Sequence, residues 1–188
     1  MTPFDAAPFT ASIEGYASIF GEPDMNGDVI ARGAFAKRPP AAGVRMLYQH
    51  APEVPIGRWL SLHEDARGLY AAGELLLASE AAREAHALLS GAALDGLSIG
   101  FRTVRSRKIP GGRLILEAEL WEVSVVTFPM APGARVTRVG EPAPAALLPP
   151  DAAGAIFAHT LRAAARLVAA ERRGGAQPEP VSKQSNKE

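Results

Sequence analysis

The segment Asp95-Gly96-Leu97-Ser98-Ile99-Gly100-Phe101 sets a serine between two glycines in a G-x-S-x-G pattern. A serine hydroxyl with a base beside it is a nucleophile for acyl transfer, so Ser98 is the first candidate for chemistry. In α/β-hydrolases this pattern forms a sharp strand-to-helix elbow, and the triad runs serine, acid, histidine along the chain. Neither condition holds here. Ile99-Gly100-Phe101-Arg102-Thr103-Val104 reads as a continuing strand. The only histidine downstream is His159, inside an alanine-rich segment. The context that the motif requires is missing, and that fold is set aside.

A triad is defined by roles and geometry, and chain order varies between folds. His50, His63 and His86 all precede Ser98. His86 falls within a helical pattern and reads as solvent-exposed. His63 ends a strand beside Glu64 and Asp65 and also reads as surface. His50 closes a strand and opens a loop with two prolines, His50-Ala51-Pro52-Glu53-Val54-Pro55, and active-site groups collect at such strand ends. The candidate acid is Glu122, which interrupts the apolar run Trp121-Glu122-Val123-Ser124-Val125-Val126. A carboxylate covered on both faces is costly unless it is paired. Two readings stay open at this point. Glu122 orients a histidine, or it faces water on an open edge or pairs with an arginine such as Arg58 or Arg102.

Metal chemistry has little to work with. There is no H-E-x-x-H pattern and no cysteine. Asp24-Met25-Asn26-Gly27-Asp28 begins like a calcium loop, but Val29 and Phe35 stand where that loop needs glycine and glutamate. The segment is expected to be an Asx-rich turn. No metal and no cofactor are expected.

These residues need a β framework to bring them together. Residues 10–20, 44–50, 55–63, 69–77, 97–108 and 114–128 carry strand composition, with turn chemistry at 22–28, 64–68 and 110–112. Residues 33–37 suggest a short helical turn. Residues 79–90 form the clearest helix, with Ser79 as N-cap, Glu80 in the first turn and Gly91 as the stop. The expected fold is mainly β with helices, a closed or nearly closed antiparallel barrel of about six to seven strands. The barrel domain is expected over residues 1–139, followed by a Pro/Ala-rich linker at 140–150. An amphipathic helix over 151–173 has Ile156, Leu161, Leu167 and Val168 on one face, and a disordered tail over 174–188 completes the chain.

Composition narrows the function classes. The chain has 188 residues, 47% of them hydrophobic and 21% charged, enough for one packed domain. Lys+Arg and Asp+Glu each number 20, so no basic surplus points to nucleic acid or an anionic membrane. No apolar run approaches the ~20 residues of a membrane span, and Met1-Thr2-Pro3-Phe4-Asp5 lacks the basic start of a secretory signal. A soluble, intracellular protein is expected.

Three further segments add a resemblance. Residues 15–35 read GYASIFGEPDMNGDVIARGAF, and residues 47–59 read LYQHAPEVPIGRW. Residues 94–101 read LDGLSIGF, followed at 119–132 by ELWEVSVVTFPMAP. In this order they resemble the phage prohead maturation proteases, relatives of the herpesvirus assemblins, over about residues 10–135. The resemblance implies an assemblin-like fold, with Ser98 as nucleophile and His50 as general base. Assemblins use a second histidine as third member. Glu122 stands at that spacing, which implies a Ser-His-Glu variant. Assemblins also stabilise the oxyanion from an arginine-bearing loop, and here Pro129-Met130-Ala131-Pro132-Gly133-Ala134-Arg135 offers only Arg135 as a candidate donor. Gly96 and Gly100 either let a substrate strand approach the backbone or mark a β-bulge.

The activity implied is that of a serine endopeptidase cleaving capsid scaffold or capsid-protein prosegments, and itself, during procapsid maturation. Its place is the bacterial cytoplasm inside the assembling procapsid, as a homodimer or higher oligomer. The segment 151–173 would dock on scaffold or shell. The alternative is a non-catalytic head assembly or scaffolding protein on the same barrel.

Overall fold

A computed structural model describes residues 9–144. Nine strands and one α-helix occur among them: β1 (Phe9–Ile19), β2 (Asp28–Ile30), β3 (Arg45–Tyr48), β4 (Ala51–Glu64), β5 (Gly68–Leu76), α1 (Glu80–Ser90), β6 (Gly96–Ile109), β7 (Gly112–Val126), β8 (Val136–Val139) and β9 (Ala143–Pro144). Period-two alternation builds the core. Ala11, Ile13 and Ala17 of β1 and Leu69, Ala71 and Leu75 of β5 are all buried on one side of the sheet. The helix forms as its caps require. The Ser79 hydroxyl accepts from the Ala82 N–H at 3.3 Å, and the Gly91 N–H returns to the Ala87 carbonyl at 2.9 Å. Its buried stripe is Ala82, Ala85 and Leu89.

All nine strands join one sheet in the order β2-β7-β3-β4-β5-β1-β8, with β6 on the other side of β7 and β9 on β1. Three expectations change here. The strands outnumber the expected six to seven, because the 22–30 turn, β8 and β9 each add a short ladder. The sheet is mixed rather than antiparallel, since both β2 and β3 run parallel to β7. The sheet also curls without closing into a barrel. Among the described residues, β6 has only the isolated Gly96–Arg135 bridge on its side away from β7. Residues 32–37 form a run of turns instead of a helical turn. Glu64 holds it by accepting from the Gly33 and Phe35 N–H groups, each at 2.7 Å, and Phe35 is fully buried. The expected helix at 151–173 and the tail at 174–188 lie outside the described residues. The expected linker at 140–150 lies partly inside them, where β9 pairs with Phe9 and Thr10 of β1.

Candidate active site

Strand β7 is the hub. Its residues Glu122–Val125 pair in parallel with Arg45–Tyr48 of β3 on one side and antiparallel with β6 on the other. Ser124 lies opposite Ser98, and Glu122 lies opposite Gly100. Alternation then puts Ser98, Gly100, Ser124 and Glu122 on one face, while Leu97, Val123 and Val125 face the core, fully buried. Directly opposed residues have Cβ atoms about 5 Å apart, so Ser98 and Ser124 are neighbours. Beneath them the Trp59 indole N–H donates to the Val123 carbonyl at 3.2 Å and ties the core to this stretch.

His50 reaches the same face from the turn between β3 and β4. Gln49 and His50 both take left-handed backbone conformations, with φ of 54° and 61°. The turn is pinned to the end of β7 by three hydrogen bonds. The Gln49 N–H donates to the Val125 carbonyl at 2.9 Å, the Gln49 amide donates to the Thr127 hydroxyl at 2.8 Å, and Gln49 Oε1 accepts from the Thr127 N–H at 3.2 Å. So fixed, His50 Nδ1 lies 2.7 Å from Glu122 Oε1. The other carboxylate oxygen accepts from the Ser124 hydroxyl.

The open readings of Glu122 now separate. Arg58 pairs with Glu74 and Arg102 with Glu119, so both arginines are engaged elsewhere. The Glu122 side chain is 15% exposed against 40% for His50. A mostly buried carboxylate with a half-open imidazole beside it raises the His50 pKa. The hydrogen bond to Glu122 and its negative charge favour the imidazolium, and partial burial opposes them.

Ser98 is 3% exposed, and its hydroxyl has no hydrogen-bond partner among the described residues, His50 included. It lines a cleft of about 210 Å³. The two flanking glycines have a plain local cause. A Cβ on Gly100 would meet Glu122 Cγ and Oε1 at 2.5 Å, so the space of the missing side chain is taken by the carboxylate. A Cβ on Gly96 would meet the Val126 carbonyl oxygen at 2.4 Å and the Pro129 ring at 2.9 Å. Protein atoms fill both spaces, and the β6–β7 register shifts between Gly100 and Phe101, as at a β-bulge. The Arg135 guanidinium donates to Asp95 at 2.8 Å and to the Pro132 carbonyl at 3.0 Å, bracing its own loop against the start of β6. Arg135 is thus linked to the Ser98 strand through Asp95 rather than joined to Ser98.

His63 is exposed and packs on Tyr70, as its position beside two acids implies. His86 is half-buried rather than exposed, since its ring meets the Gly140 carbonyl at 3.0 Å. No group of three or more metal-binding side chains occurs among the described residues. Asp24 forms the expected Asx turn, accepting from the Asn26 and Asp28 N–H groups at 2.8 and 2.9 Å.

Sequence reasoning missed Ser124 and the Gln49–Thr127 clamp. Ser124 carried a usable signal, since it sits two residues after Glu122 and shares its face. Gln49 and Thr127 carried none, because they meet only through the nonlocal β3–β7 pairing.

Comparisons with known proteins bear on the family and the fold. The Caudovirus prohead serine protease family matches residues 4–144. The prohead protease of Enterobacteria phage HK97 is 38% identical over 122 residues, covering 62% of this chain. The chain spans 54% of the length of that relative. In fold it is similar to the Kaposi's sarcoma herpesvirus protease in complex with a hexapeptide phosphonate inhibitor, with a TM-score of 0.50 and 15% identity over 70% of this chain and 65% of that one. With three quarters of its residues inside the family match, the chain belongs to the caudovirus prohead serine protease family.

Proposed function

We propose that the chain is a serine endopeptidase that cleaves capsid scaffold or capsid-protein prosegments, and itself, in the assembling procapsid. The observation that carries this is the 2.7 Å contact between His50 Nδ1 and Glu122, on the face that also holds Ser98. With its proton fixed on Nδ1 toward the carboxylate, the neutral imidazole leaves Nε2 free as a base. Nε2 takes the Ser98 proton as the hydroxyl oxygen attacks the scissile carbonyl. The imidazolium so formed is stabilised by Glu122 and then protonates the leaving amine. Water repeats the sequence on the acyl-enzyme and releases Ser98. Ser124 holds the far oxygen of Glu122 and keeps the carboxylate aligned. Hydrogen bonds between nucleophile and base commonly tighten only when substrate is bound, which suits the unpartnered Ser98 hydroxyl. Arg135 serves through its loop, by setting the backbone next to β6.

The test is intact-mass spectrometry of wild type and Ser98→Ala, each co-assembled with the capsid protein of the same particle. Wild type trims the capsid chain or itself. Ser98→Ala loses the cleavage by about 10³-fold or more. Equal trimming by both proteins would rule out Ser98 as nucleophile, and no trimming by either inside assembled particles would favour the non-catalytic assembly role.

A further inference from the structure

We propose that the outer half of β6, from Arg105 to Ile109, is a docking edge for an acidic, extended segment of the substrate protein. Its use in cleavage rests on the peptidase reading above.

The edge is open. β6 pairs with β7 along its whole length. Among the described residues its other side is hydrogen-bonded only at its start, by Ala134 and Arg135. Alternate residues beyond that point turn a backbone N–H and carbonyl outward, a template for one more strand. The hairpin is held steady from behind, since β2 runs beside Arg113–Ile115 of β7. Its register is regular from Ser106 to Ile109 and shifts between Thr103 and Ser106. Such shifts increase the local twist, so a short segment fits where a long flat strand does not.

The edge also carries charge of one sign. Arg102, Arg105, Arg107, Lys108 and Arg113 fall close together, and no acid occurs from 96 to 116, in a chain whose formal net charge is zero. Arg102 pairs with Glu119 and Arg113 with Asp28. Arg105 lies 3.9 Å from Glu117, which Lys37 holds at 2.9 Å. Arg107 and Lys108 are exposed and make no ion pair among the described residues. Alternation sets these two on opposite faces, so positive charge flanks the open edge on both sides.

Charge on an edge commonly repels other strands. Here it repels a second copy of this edge and admits a strand of opposite sign. Residues 145–188 hold more lysine and arginine than acid, so the chain's own end is a poor match. Outward donors and acceptors together suit a polypeptide, whereas a phosphate backbone brings acceptors only. Ser98 lies on the same strand. At about 3.3 Å per residue Arg107 is roughly 30 Å from it, so the edge would hold the substrate about nine residues from the scissile bond.

Binding is tested on the full chain carrying Ser98→Ala, so that nothing is cleaved. Three labelled hexapeptides are titrated at low salt by fluorescence anisotropy: Thr-Glu-Glu-Val-Glu-Thr, its glutamine analogue, and the glutamate peptide N-methylated at every amide. The unmethylated glutamate peptide should bind about tenfold tighter than the other two, and the gap to the glutamine analogue should close in Arg107→Gln/Lys108→Gln. Neither substituted side chain makes an ion pair among the described residues, so the variant keeps the fold. A glutamate peptide no tighter than its glutamine analogue overturns the proposal, as does a preference that survives the double variant. Equal binding of the N-methylated peptide means charge attraction without an added strand and overturns it too. So does a thymidine oligonucleotide that binds the edge more tightly than the glutamate peptide. In co-assembled particles, the double variant with Ser98 intact should trim the capsid chain about tenfold more slowly than wild type. Trimming at the wild-type rate overturns the proposal and leaves the peptidase standing. Acid-selective binding with no trimming by either protein keeps the edge and sinks the peptidase.

Discussion

Glu122 is held from two sides, by His50 on one oxygen and by the Ser124 hydroxyl on the other. Its contact with His50 bears on the working pH. A base must be neutral to take a proton, and the His50 pKa is raised by its hydrogen bond to Glu122. The acid limb of kcat/KM should therefore sit above the ordinary imidazole value of about 6.5. Glu122→Gln removes the cause that raises the pKa and leaves the burial that lowers it. The limb should then move down in pH while kcat falls by roughly 10²–10⁴-fold. A limb that stays in place would show that Glu122 does not govern His50. The same pairing bears on stability with a definite sign. A raised folded pKa contributes stability that is fully present below about pH 6.5 and is lost as pH climbs through the folded value. Gly100 gives a second test at this scale. Gly100→Ala would place a methyl group on the Glu122 carboxylate, whose flexible side chain can swing aside. A loss of about 10–100-fold in kcat with a melting temperature close to wild type is expected. A large loss of stability with kcat intact in the folded fraction would assign Gly100 to folding instead.

The turn between β3 and β4 shows how an element positions a residue. Gln49 does no chemistry, yet its three hydrogen bonds lock the turn onto the end of β7. Gln49→Ala removes the two side-chain hydrogen bonds, keeps the one from the main-chain N–H, and so loosens that turn. The expected result is about a tenfold loss of kcat with KM little changed, together with a downward shift of the acid limb as His50 loses contact with Glu122. An unchanged pH profile would reduce Gln49 to a structural role. Legibility at this scale follows the range of the interaction. The helix was readable because Ser79, Glu80 and Gly91 act within one turn of where they stand. The β4–β5 hairpin was readable because Asp65 caps its own loop, accepting from the Arg67 and Gly68 N–H groups. The parallel register of β3 on β7 was not readable. It joins Arg45 to Glu122, and nothing near either residue states it.

On the scale of the described molecule, nonlocal pairing explains both what the sequence showed and what it hid. Ser98, His50 and Glu122 could be named from residue type and from family resemblance, but their common face depends on two strand registers. The strand-rich class was visible in alternation. The failure to close was not, since it turns on a single bridge at Gly96–Arg135. The interior relies on a few large side chains, Trp59 and Phe35 among them, each no more than 2% exposed. Phe35→Ala should cost about 3–5 kcal/mol in urea unfolding, because Glu64 fixes the turn above it and keeps the void from collapsing. A cost below about 1 kcal/mol would mean that the turn relaxes into the space.

The left-handed pair at Gln49 and His50 has a bearing on how this protein could be improved or could drift. A side chain in that conformation costs roughly 1–2 kcal/mol that glycine escapes, while asparagine and histidine tolerate it better than glutamine. A laboratory selection for heat tolerance alone would therefore favour glycine or asparagine at position 49. Such winners would fold more firmly and cut more slowly. Sequenced after selection, they would mark the spot where durability and turnover pull the chain in opposite directions.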